Sequence, residues 1–183
     1  MIYIALLRGI NVSGHKKILM TDLRELLHNK GLNNVQTYIQ SGNVIFESDE
    51  TSAVLSRKIS TYIYKEYKFD VPVLVKTISE WEVALSNNPF LNDNSEIDIK
   101  KLYVTFLSDI PAKVNAKALL ELDYSPDKFI LQDNLIYSYF ANGSGRSKMT
   151  INIFEKKLKV SATSRNWNTV NKLFELSSSK KHN

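Results

Sequence analysis

The sequence contains no cysteine and no long run of apolar residues. Without cysteine the chain has no disulfide bonds and no thiol nucleophile, and we expect it to be cytoplasmic. No apolar segment approaches the roughly 18 to 20 residues of a membrane-spanning helix, so we expect no membrane partner. The apolar segment 2–7 is shorter than a signal-peptide core of about 7 to 15 residues, and no basic segment precedes it. We therefore expect a buried strand there.

Metal-ligand and nucleophile motifs are also missing. The three histidines, His15, His28 and His182, do not have the spacing of metal ligands, so we expect no zinc site. The chain contains neither a Gly-x-Ser-x-Gly segment nor a Gly-x4-Gly-Lys-Ser/Thr phosphate loop. The sequence therefore predicts no cofactor and no assigned catalytic residue.

The overall composition is that of a globular protein, with 43% hydrophobic and 23% charged residues. A chain of 183 residues is long enough to bury a core without disulfides or metal. The formal net charge of +5 favours anionic partners, although lysine-rich surfaces are common in soluble proteins.

Hydrophobic periodicity predicts the same order of elements in both halves, namely strand, helix, strand, strand, helix, strand, helix. Thr21 is the expected N-cap of the first helix and Gly31 its C-terminal stop. The predicted strands of the first half are 2–7, 35–40, 44–47 and 71–75. Those of the second half are a strand that begins at 102, followed by 128–132, 135–140 and 160–163. The predicted helices are 21–30, 52–67, 77–85, 115–122, 148–157 and 166–176.

Two sequence matches predict that the halves arose by internal duplication. Residues 2–10 align with 102–110 position for position, and Thr77–Trp81 aligns with Thr163–Trp167. A βαββαβ unit is the ferredoxin-like pattern, with two helices on one face of a four-stranded sheet. We expect an α+β fold of two tandem ferredoxin-like halves, each with one added helix, packed together.

The domain boundaries follow from composition. Residues 89–98 are rich in Asn, Asp and Pro without hydrophobic period, which predicts a linker. The predicted halves are 1–88 and 99–179, and residues 180–183 are expected to be a frayed tail.

One candidate anion site lies in the segment 143–148, between a predicted strand and a predicted helix. Its two glycines can turn backbone N–H groups toward one point, next to Arg146, Ser147 and Lys148. The alternative is an ordinary strand-to-helix turn with a capping serine and two solvated cations.

A second candidate is Arg165 with Asn166, where a predicted strand leads into a predicted helix. A cation beside a helix N-terminus costs a few tenths of a kcal/mol unless it has an acidic partner or an anionic ligand. The alternative is a salt bridge from Arg165 to the other half. Trp167 is expected in the core rather than as a stacking platform.

A third candidate is the loop after the first strand, with Arg8 and Asn11. We expect the ends of strands one and three of each half to meet, so that Arg8 has Glu47 or Asp49 as an alternative partner.

The same reasoning predicts how the two candidates of the second half are placed. It puts segment 143–148 beside Ser108 and Asp109, and segment 163–166 at the opposite end beside Asp133. On this expectation the two basic loops of the second half do not meet within it.

Four blocks of this sequence resemble a known family. They are Leu7–Val12, the hairpin Thr37–Val44 with Ser41 and Asn43, Gly145–Lys148, and Thr163–Thr169. In this order they resemble the signature blocks of the bacterial "domain of unknown function 1697" family, over nearly the whole chain. Ser13 stands where glycine is usual in that family. The resemblance implies a duplicated ferredoxin-like α+β fold and brings no established biochemical activity.

Three functions stay open. The first is a binding module for an anionic small molecule of nucleotide type or for single-stranded nucleic acid, at basic loops between the halves. The second is a hydrolase that uses Ser41 or His15, and the third is a protein-interaction scaffold without catalysis. The candidate binding residues are Arg8, Asn11, Ser41, Asn43, Arg146, Ser147, Lys148, Arg165 and Asn166. Nucleic-acid binding by such sheets usually needs exposed aromatics, for which the candidates are Tyr3, Tyr38, Tyr103 and Tyr137. No oligomeric state is predicted.

Overall fold

The computed structural model describes residues 1–92 and 97–179. Within them the chain forms two four-stranded antiparallel sheets and six α-helices, which confirms the predicted α+β fold of ferredoxin-like halves. Part of the predicted linker, residues 93–96, and the whole predicted tail, residues 180–183, lie outside the described residues. The predicted domain boundaries, 1–88 and 99–179, stay a prediction.

The chain divides into two compact units. Unit 1 is Met1–Glu82 together with the chain from Lys172 onward, and unit 2 is Val83–Asn171. The elements of unit 1 are β1 Ile2–Leu7, α1 Met20–Asn29, β2 Asn33–Tyr38, β3 Asn43–Glu47, α2 Ser52–Tyr67 and β4 Val73–Thr77. Helix α3, Ile78–Ser86, crosses the boundary between the units, as does α6, Trp167–Ser178. The elements of unit 2 are β5 Leu102–Leu107, α4 Lys113–Leu120, β6 Lys128–Gln132, β7 Leu135–Tyr139, α5 Ile151–Leu158 and β8 Ala162–Asn166.

Sheet 1 has the order β2-β3-β1-β4 and is buried on both faces along β1. Alternate residues of a strand point to opposite faces, and Tyr3, Ala5 and Leu7 share one core cluster with apolar residues of α1 and α2. Ile4 and Leu6 point the other way and are also fully buried. This explains why β1 is a continuous apolar run rather than an alternating one.

Sheet 2 repeats this arrangement in the order β6-β7-β5-β8. Leu107 and Ile136 belong to a cluster with Leu119 of α4 and Phe154 of α5. On the other face Tyr137 is fully buried, and its hydroxyl donates a hydrogen bond to the carbonyl of Ala84 at 3.1 Å. Burial raises the pKa of Tyr137 to about 12, so its hydroxyl stays protonated at neutral pH.

The backbone register of the two sheets is equivalent. Leu7 N–H donates to the carbonyl of Gly42 at 2.8 Å, and Leu107 N–H donates to that of Asn134 at 2.9 Å. The first strand of each sheet therefore ends in the same way, against the turn of the following hairpin.

The register corrects the predicted match between Thr77–Trp81 and Thr163–Trp167. Tyr3 lies opposite Thr77 in sheet 1, and the equivalent Tyr103 lies opposite Asn166 in sheet 2. Thr77 is thus the counterpart of Asn166 and not of Thr163. Spacing between a threonine and a tryptophan was a poor guide because it takes no account of strand pairing.

Predicted helix starts also differ from the observed ones in several places, including α4, which begins at Lys113 instead of 115. Helix α1 begins at Met20, and Leu19 at the N-cap makes no side-chain capping bond, so Thr21 is not the cap. Helix α5 begins at Ile151 instead of 148 because a 3-10 turn and an extended segment occupy the preceding residues. The predicted stop of α1 is present, since Gly31 has φ of 89° directly after the C-cap.

Helix α3 starts at a reciprocal capping box. The Thr77 hydroxyl accepts the N–H of Glu80 at 3.2 Å, and the Glu80 carboxylate accepts the N–H of Thr77 at 2.9 Å. The same carboxylate forms a salt bridge with Lys76 at 3.0 Å, and the Lys76 side chain is buried. Burial alone would raise the pKa of Glu80, but the Thr77 N–H and the Lys76 ammonium lower it overall.

We expect Glu80→Gln to reduce the free energy of unfolding by about 2 kcal/mol at neutral pH, since a buried ammonium loses its counter-charge while a glutamine keeps the capping bond. The lowered pKa of Glu80 means that the ionised form stabilises the fold above its unfolded pKa of about 4.3 and that this contribution disappears as pH falls through the folded pKa. The difference between variant and wild type should therefore shrink below about pH 4 in urea unfolding measured across pH.

The matched control is Glu175→Gln, which breaks the exposed salt bridge to Lys172. Exposed pairs contribute little, so this variant should lose at most about 0.5 kcal/mol. Equal losses in the two variants would contradict the assigned role of Glu80.

Candidate functional site

The end of β1 was predicted to lie beside Glu47 and Asp49. It lies instead beside the hairpin turn. Strands β1 and β3 are antiparallel, with Leu6 opposite Asn43 and Ile2 opposite Glu47. The C-terminal end of one antiparallel strand meets the N-terminal end of its neighbour. The loop that carries Arg8 is therefore placed at the Ser41–Asn43 turn, and the expected alternative partners of Arg8 lie at the far end of the sheet.

Asn11 braces this loop. Its side-chain Nδ2 donates to the carbonyls of Ile18 at 2.9 Å and Gln40 at 2.8 Å, and its Oδ1 accepts the N–H of Ile18 at 2.9 Å. An amide nitrogen has only two hydrogens, and both are used here. Asn11 is therefore a structural brace, and its role in reading a ligand stays a prediction.

The backbone of this loop, residues 8–18, is strained. Asn11, Ser13 and Lys16 have positive φ values of 55°, 49° and 46°. Left-handed conformations cost an L-residue with a side chain about 1 to 2 kcal/mol, and such strain is concentrated at functional sites. The Asn11 side chain holds this backbone by bonding to Ile18, at the C-terminal end of the loop, and to Gln40 of the hairpin.

Asn43 is likewise structural. It is fully buried, and its Nδ2 donates to the Tyr38 carbonyl and to the Ser41 hydroxyl, both at 3.0 Å. The hydrolase hypothesis required a general base beside Ser41, and this amide has no basic lone pair to offer.

Cations of the 8–18 loop lie at its surface. Lys16 Nζ donates to the carbonyl of Asp70, and His15 and Lys17 are exposed. Arg8 is half-buried, and its backbone N–H donates to the Pro72 carbonyl at 3.0 Å. The carboxylate of Asp70 forms no salt bridge with Lys16, although the two residues are in contact.

In sheet 2 the segment 143–148 and Asn166 lie at the same end, which reverses the prediction. Leu102, at the start of β5, pairs with Tyr139 at the end of β7, and Tyr103 pairs with Asn166 at the end of β8. Ser108, just after the end of β5, is at the opposite end. The error has the same origin as in sheet 1, because antiparallel pairing joins starts to ends.

The segment 143–148 forms a turn in which several of its own backbone N–H groups already make hydrogen bonds. The N–H groups of Gly143, Arg146 and Ser147 donate to Phe140, Gly143 and Ser144 carbonyls, and the Ser147 hydroxyl accepts the N–H of Met149. This is the strand-to-helix turn given as the alternative, although the serine caps no helix. Arg146 and Lys148 have exposed side chains, so cations rather than a ring of backbone amides are what the turn presents.

Asn166 and Ser144 tie the same end of sheet 2 together. Asn166 Nδ2 donates to the carbonyls of Lys100 at 2.8 Å and Leu102 at 3.3 Å, and its Oδ1 accepts the N–H of Asn168. The Ser144 hydroxyl bonds to the Tyr103 hydroxyl at 3.1 Å. Asn166 is thus a third asparagine that braces a loop and has no amide hydrogen left for a ligand.

Arg165 is an interior residue of β8 and does not stand at the exposed helix N-terminus. It lies opposite Val104, is only 9% exposed, and donates from Nη1 to the carbonyl of Ser164. Burial lowers the pKa of Arg165 to about 10, so the guanidinium stays charged at neutral pH. Its counterpart by register in sheet 1 is Lys76, which is opposite Ile4 and is also buried.

The tyrosines considered for stacking are not an exposed platform. Tyr3 and Tyr137 are fully buried, and Tyr103 packs edge-on against Phe140 with ring centroids 5.1 Å apart. Tyr38 is half-buried at the end of β2. Two of the four are therefore unable to stack on a nucleobase.

Unit 2 also has an open pocket of about 380 Å³, and no predicted site residue lines it. Its lining residues include Phe90, Tyr124 and Phe129 with Asp123 and Lys128. Across residues 1–92 and 97–179, no three His, Asp or Glu side chains are grouped as metal ligands would be. In the same residues none of the helices has the length and apolar character required to cross a bilayer.

Comparison with known proteins identifies the family. Residues 1–137 match the family model described as "Protein of unknown function (DUF1697)". The chain belongs to this family. Arg8, Asn11, Ser41 and Asn43 lie inside the matched range of this DUF1697 protein, whereas the site residues from Arg146 onward lie beyond it.

A solved structure extends the likeness to nearly the whole DUF1697 protein. The conserved bacterial protein SP0830 from Streptococcus pneumoniae is 25% identical to it, with a TM-score of 0.75. The match covers 96% of this chain and 98% of that one. No curated protein matches the sequence. The family and fold are therefore shown, and the biochemical role is a matter for proposal.

Local sequence patterns missed several basic residues that the structure brings to the end of sheet 2 that carries Asn166. Lys100 and Lys101 adjoin Asn166 and Ala141 at the end of sheet 2, and Lys128 pairs with Tyr139 there. Their positions depend on strand register, so only a correct alignment of β5, β6 and β7 would have identified them.

Proposed function

We propose that this protein binds a phosphate-bearing anion at one end of sheet 2. The basic end of sheet 2 is defined here as Lys100, Lys101, Lys128, Arg146 and Lys148. The observation that carries the proposal is the strand pairing, which gathers these cations from separate chain segments at the start of β5. Gathering like charges raises their mutual repulsion, and a bound anion relieves it.

Among the described residues, the carboxylates at this end form no salt bridge with its cations. Asp98 Oδ1 accepts the backbone N–H of Lys100, and Asp127 Oδ1 accepts that of Ala141. Neither forms a salt bridge, and none of the five cations is in a salt bridge with a described residue. Lys101 Nζ donates to the Ala141 carbonyl at 2.9 Å, which holds one ammonium in place beside the turn.

The site also has a neutral donor. In the Ser144–Tyr103 pair the tyrosine hydroxyl accepts from serine, which leaves its own proton available to a further acceptor. Phosphate oxygens in proteins accept hydrogen bonds from guanidinium, ammonium and hydroxyl groups, and the site has all three kinds of donor.

A small phosphate compound fits better than single-stranded nucleic acid. Nucleic-acid strands are held by bases stacked on exposed aromatics as well as by phosphate contacts. Tyr137 is buried, and the Tyr103 ring packs on Phe140.

A cytoplasmic location is part of the proposal, and the cysteine-free composition favours it. The equivalent registers of the two sheets support internal duplication of an ancestral unit.

The test is calorimetric titration with inorganic pyrophosphate and, separately, with a ten-residue oligothymidylate. We expect Arg146→Ala/Lys148→Ala to weaken pyrophosphate binding at least about tenfold, since each charge-assisted bond is worth about 1.5 to 3 kcal/mol before solvent screening. Wild-type binding should weaken between about 50 and 200 mM salt.

The matched control is Lys113→Ala/Lys156→Ala, which removes the same charge from exposed positions at the opposite end of sheet 2. It should change affinity less than about twofold because salt screens charges at that distance. The proposal fails if pyrophosphate does not bind at low salt, or if both double variants lose affinity equally. If the oligothymidylate bound more tightly than pyrophosphate, the ligand would be a nucleic acid and not a small anion.

A further inference from the structure

A second surface, in unit 1, combines exposed aliphatic side chains with cations. The Asn11 surface is defined here as Val12, His15, Lys16, Lys17, Leu19 and Ile39. It belongs to a different unit from the basic end of sheet 2 and does not depend on the function proposed there.

Asn11 brings the aliphatic members together. Its side chain bonds to Ile18 and Gln40, and Val12, Leu19 and Ile39 are the chain neighbours of Asn11, Ile18 and Gln40. All three aliphatic residues are exposed, with relative accessibilities of 58%, 65% and 49%. A single exposed aliphatic is ordinary, whereas three on backbone segments that one side chain links make this part of the surface a candidate apolar patch.

The backbone at Ile39 is a second, independent observation. Ile39 has φ of 50°, a left-handed conformation that β-branched residues avoid because of steric clash. The residue combines an unfavourable backbone conformation with an exposed apolar side chain, so burial within unit 1 does not compensate for the strain. The carbonyls of Tyr38 and Gln40 on either side are held by Asn43 and Asn11, so the fold maintains this strain, and residues in such conformations cluster at binding sites.

Charge determines the kind of partner. The Asn11 N–H donates to the Lys16 carbonyl, so Lys16 and Lys17 lie next to the aliphatic patch. His15 N–H donates to Val12 and closes the tip of the loop. Segment 8–18 contains no acidic residue, and although the Lys16 ammonium donates to the Asp70 carbonyl, His15 and Lys17 are exposed, so a complementary partner carries negative charge beside aliphatic groups.

We infer that the Asn11 surface docks an acidic segment of a partner protein that carries Leu, Ile or Val beside its carboxylates. A lipid surface is less suited, since interfacial binding uses Trp or Phe and clusters of about four to eight Lys or Arg. A nucleic acid is less suited because the Asn11 surface offers a single aromatic ring, that of His15, whereas strand binding stacks successive bases on several aromatic side chains. The contact is small and therefore transient.

The probe is a library of ten-residue peptides in which Asp or Glu alternates with Leu, Ile or Val. Binding to the full chain is followed by the shift of backbone amide NMR signals. We expect saturable shifts at Val12, Lys17, Leu19 and Ile39. Peptides with serine in place of the aliphatics, oligothymidylate, and vesicles of phosphatidylserine should leave these signals unchanged.

The decisive variant is Ile39→Asn, because asparagine accepts a left-handed backbone and the change replaces the aliphatic group by a polar amide. It should weaken peptide binding at least about fivefold without lowering the urea midpoint. The control is Val114→Ala, an exposed aliphatic of α4, which should bind as wild type. A second variant, Lys17→Gln, should weaken binding about twofold to fivefold and reduce its salt dependence.

Four results would overturn the inference. These are wild-type affinity in Ile39→Asn, equal binding of the serine-substituted peptides, equal or stronger shifts with vesicles or oligothymidylate, and absence of any peptide binding at millimolar concentration.

Discussion

Gly42→Ala is expected to lower the free energy of unfolding by about 3 to 4 kcal/mol. Gly42 has φ of 80°, and a Cβ placed there would lie 2.7 Å from Leu7 Cβ and 2.8 Å from Ile10 Cδ1. The Leu7 Cβ cannot rotate away because it is bonded to the backbone of β1. The Gly42 carbonyl also accepts the N–H of Leu7, so relief of the clash would stretch the bond that ends β1. Urea unfolding with an unchanged m-value measures the loss.

Gly31→Ala is the control for this prediction. Gly31 has a similar φ of 89°, but no atom would lie within 4 Å of a Cβ added at this position. It should lose only about 1 kcal/mol, the backbone cost of a left-handed alanine. If the two variants were equally destabilised, the contact of Gly42 with Leu7 and Ile10 would be irrelevant to stability.

Asn11→Ala is expected to cost about 3 kcal/mol, the second largest effect. The variant loses three hydrogen bonds, to Ile18 twice and to Gln40, each worth about 0.5 to 1.5 kcal/mol. It also puts alanine at φ of 55°, which adds about 1 kcal/mol of strain. The urea midpoint measures the total, and amide hydrogen exchange of residues 8–18 should accelerate because the loop opens.

Asn11→Gly separates the two causes. Glycine adopts positive φ without strain, so this variant should lose about 1 kcal/mol less than Asn11→Ala. Ser13→Ala is the control, since Ser13 is exposed at a similar φ of 49° and makes no brace. An Asn11→Ala variant as stable as Ser13→Ala would show that the brace does not hold the loop.

Local pattern was sufficient for most elements. Helix α2 spans the predicted residues, Ser52–Tyr67, because Leu55, Ile59 and Ile63 recur at helical spacing and form one buried face. The strand β1 was recognised because a strand buried on both faces has no polar alternation. Such signals arise between residues close in the chain, which is why the sequence alone contains them.

The candidate sites were predicted less well. Asn11, Asn43 and Asn166, whose roles as ligand readers stay predictions, all brace the backbone, because an amide side chain bonds to the carbonyls that the fold places beside it. Those carbonyls, such as Gln40 for Asn11 and Lys100 for Asn166, come from distant parts of the chain. No local pattern distinguishes an asparagine that binds a ligand from one that binds its own backbone.

Composition, periodicity and the four signature blocks were enough to establish the α+β class, the repeated ferredoxin-like order and the family. Which loops share an end of a sheet was decided only by tertiary structure, because antiparallel pairing between β5 and its neighbours brings segment 143–148 to Asn166 and away from Ser108. Hydrophobic spacing records which face of an element is buried, whereas strand direction and register are set by backbone hydrogen bonds that every residue type makes alike.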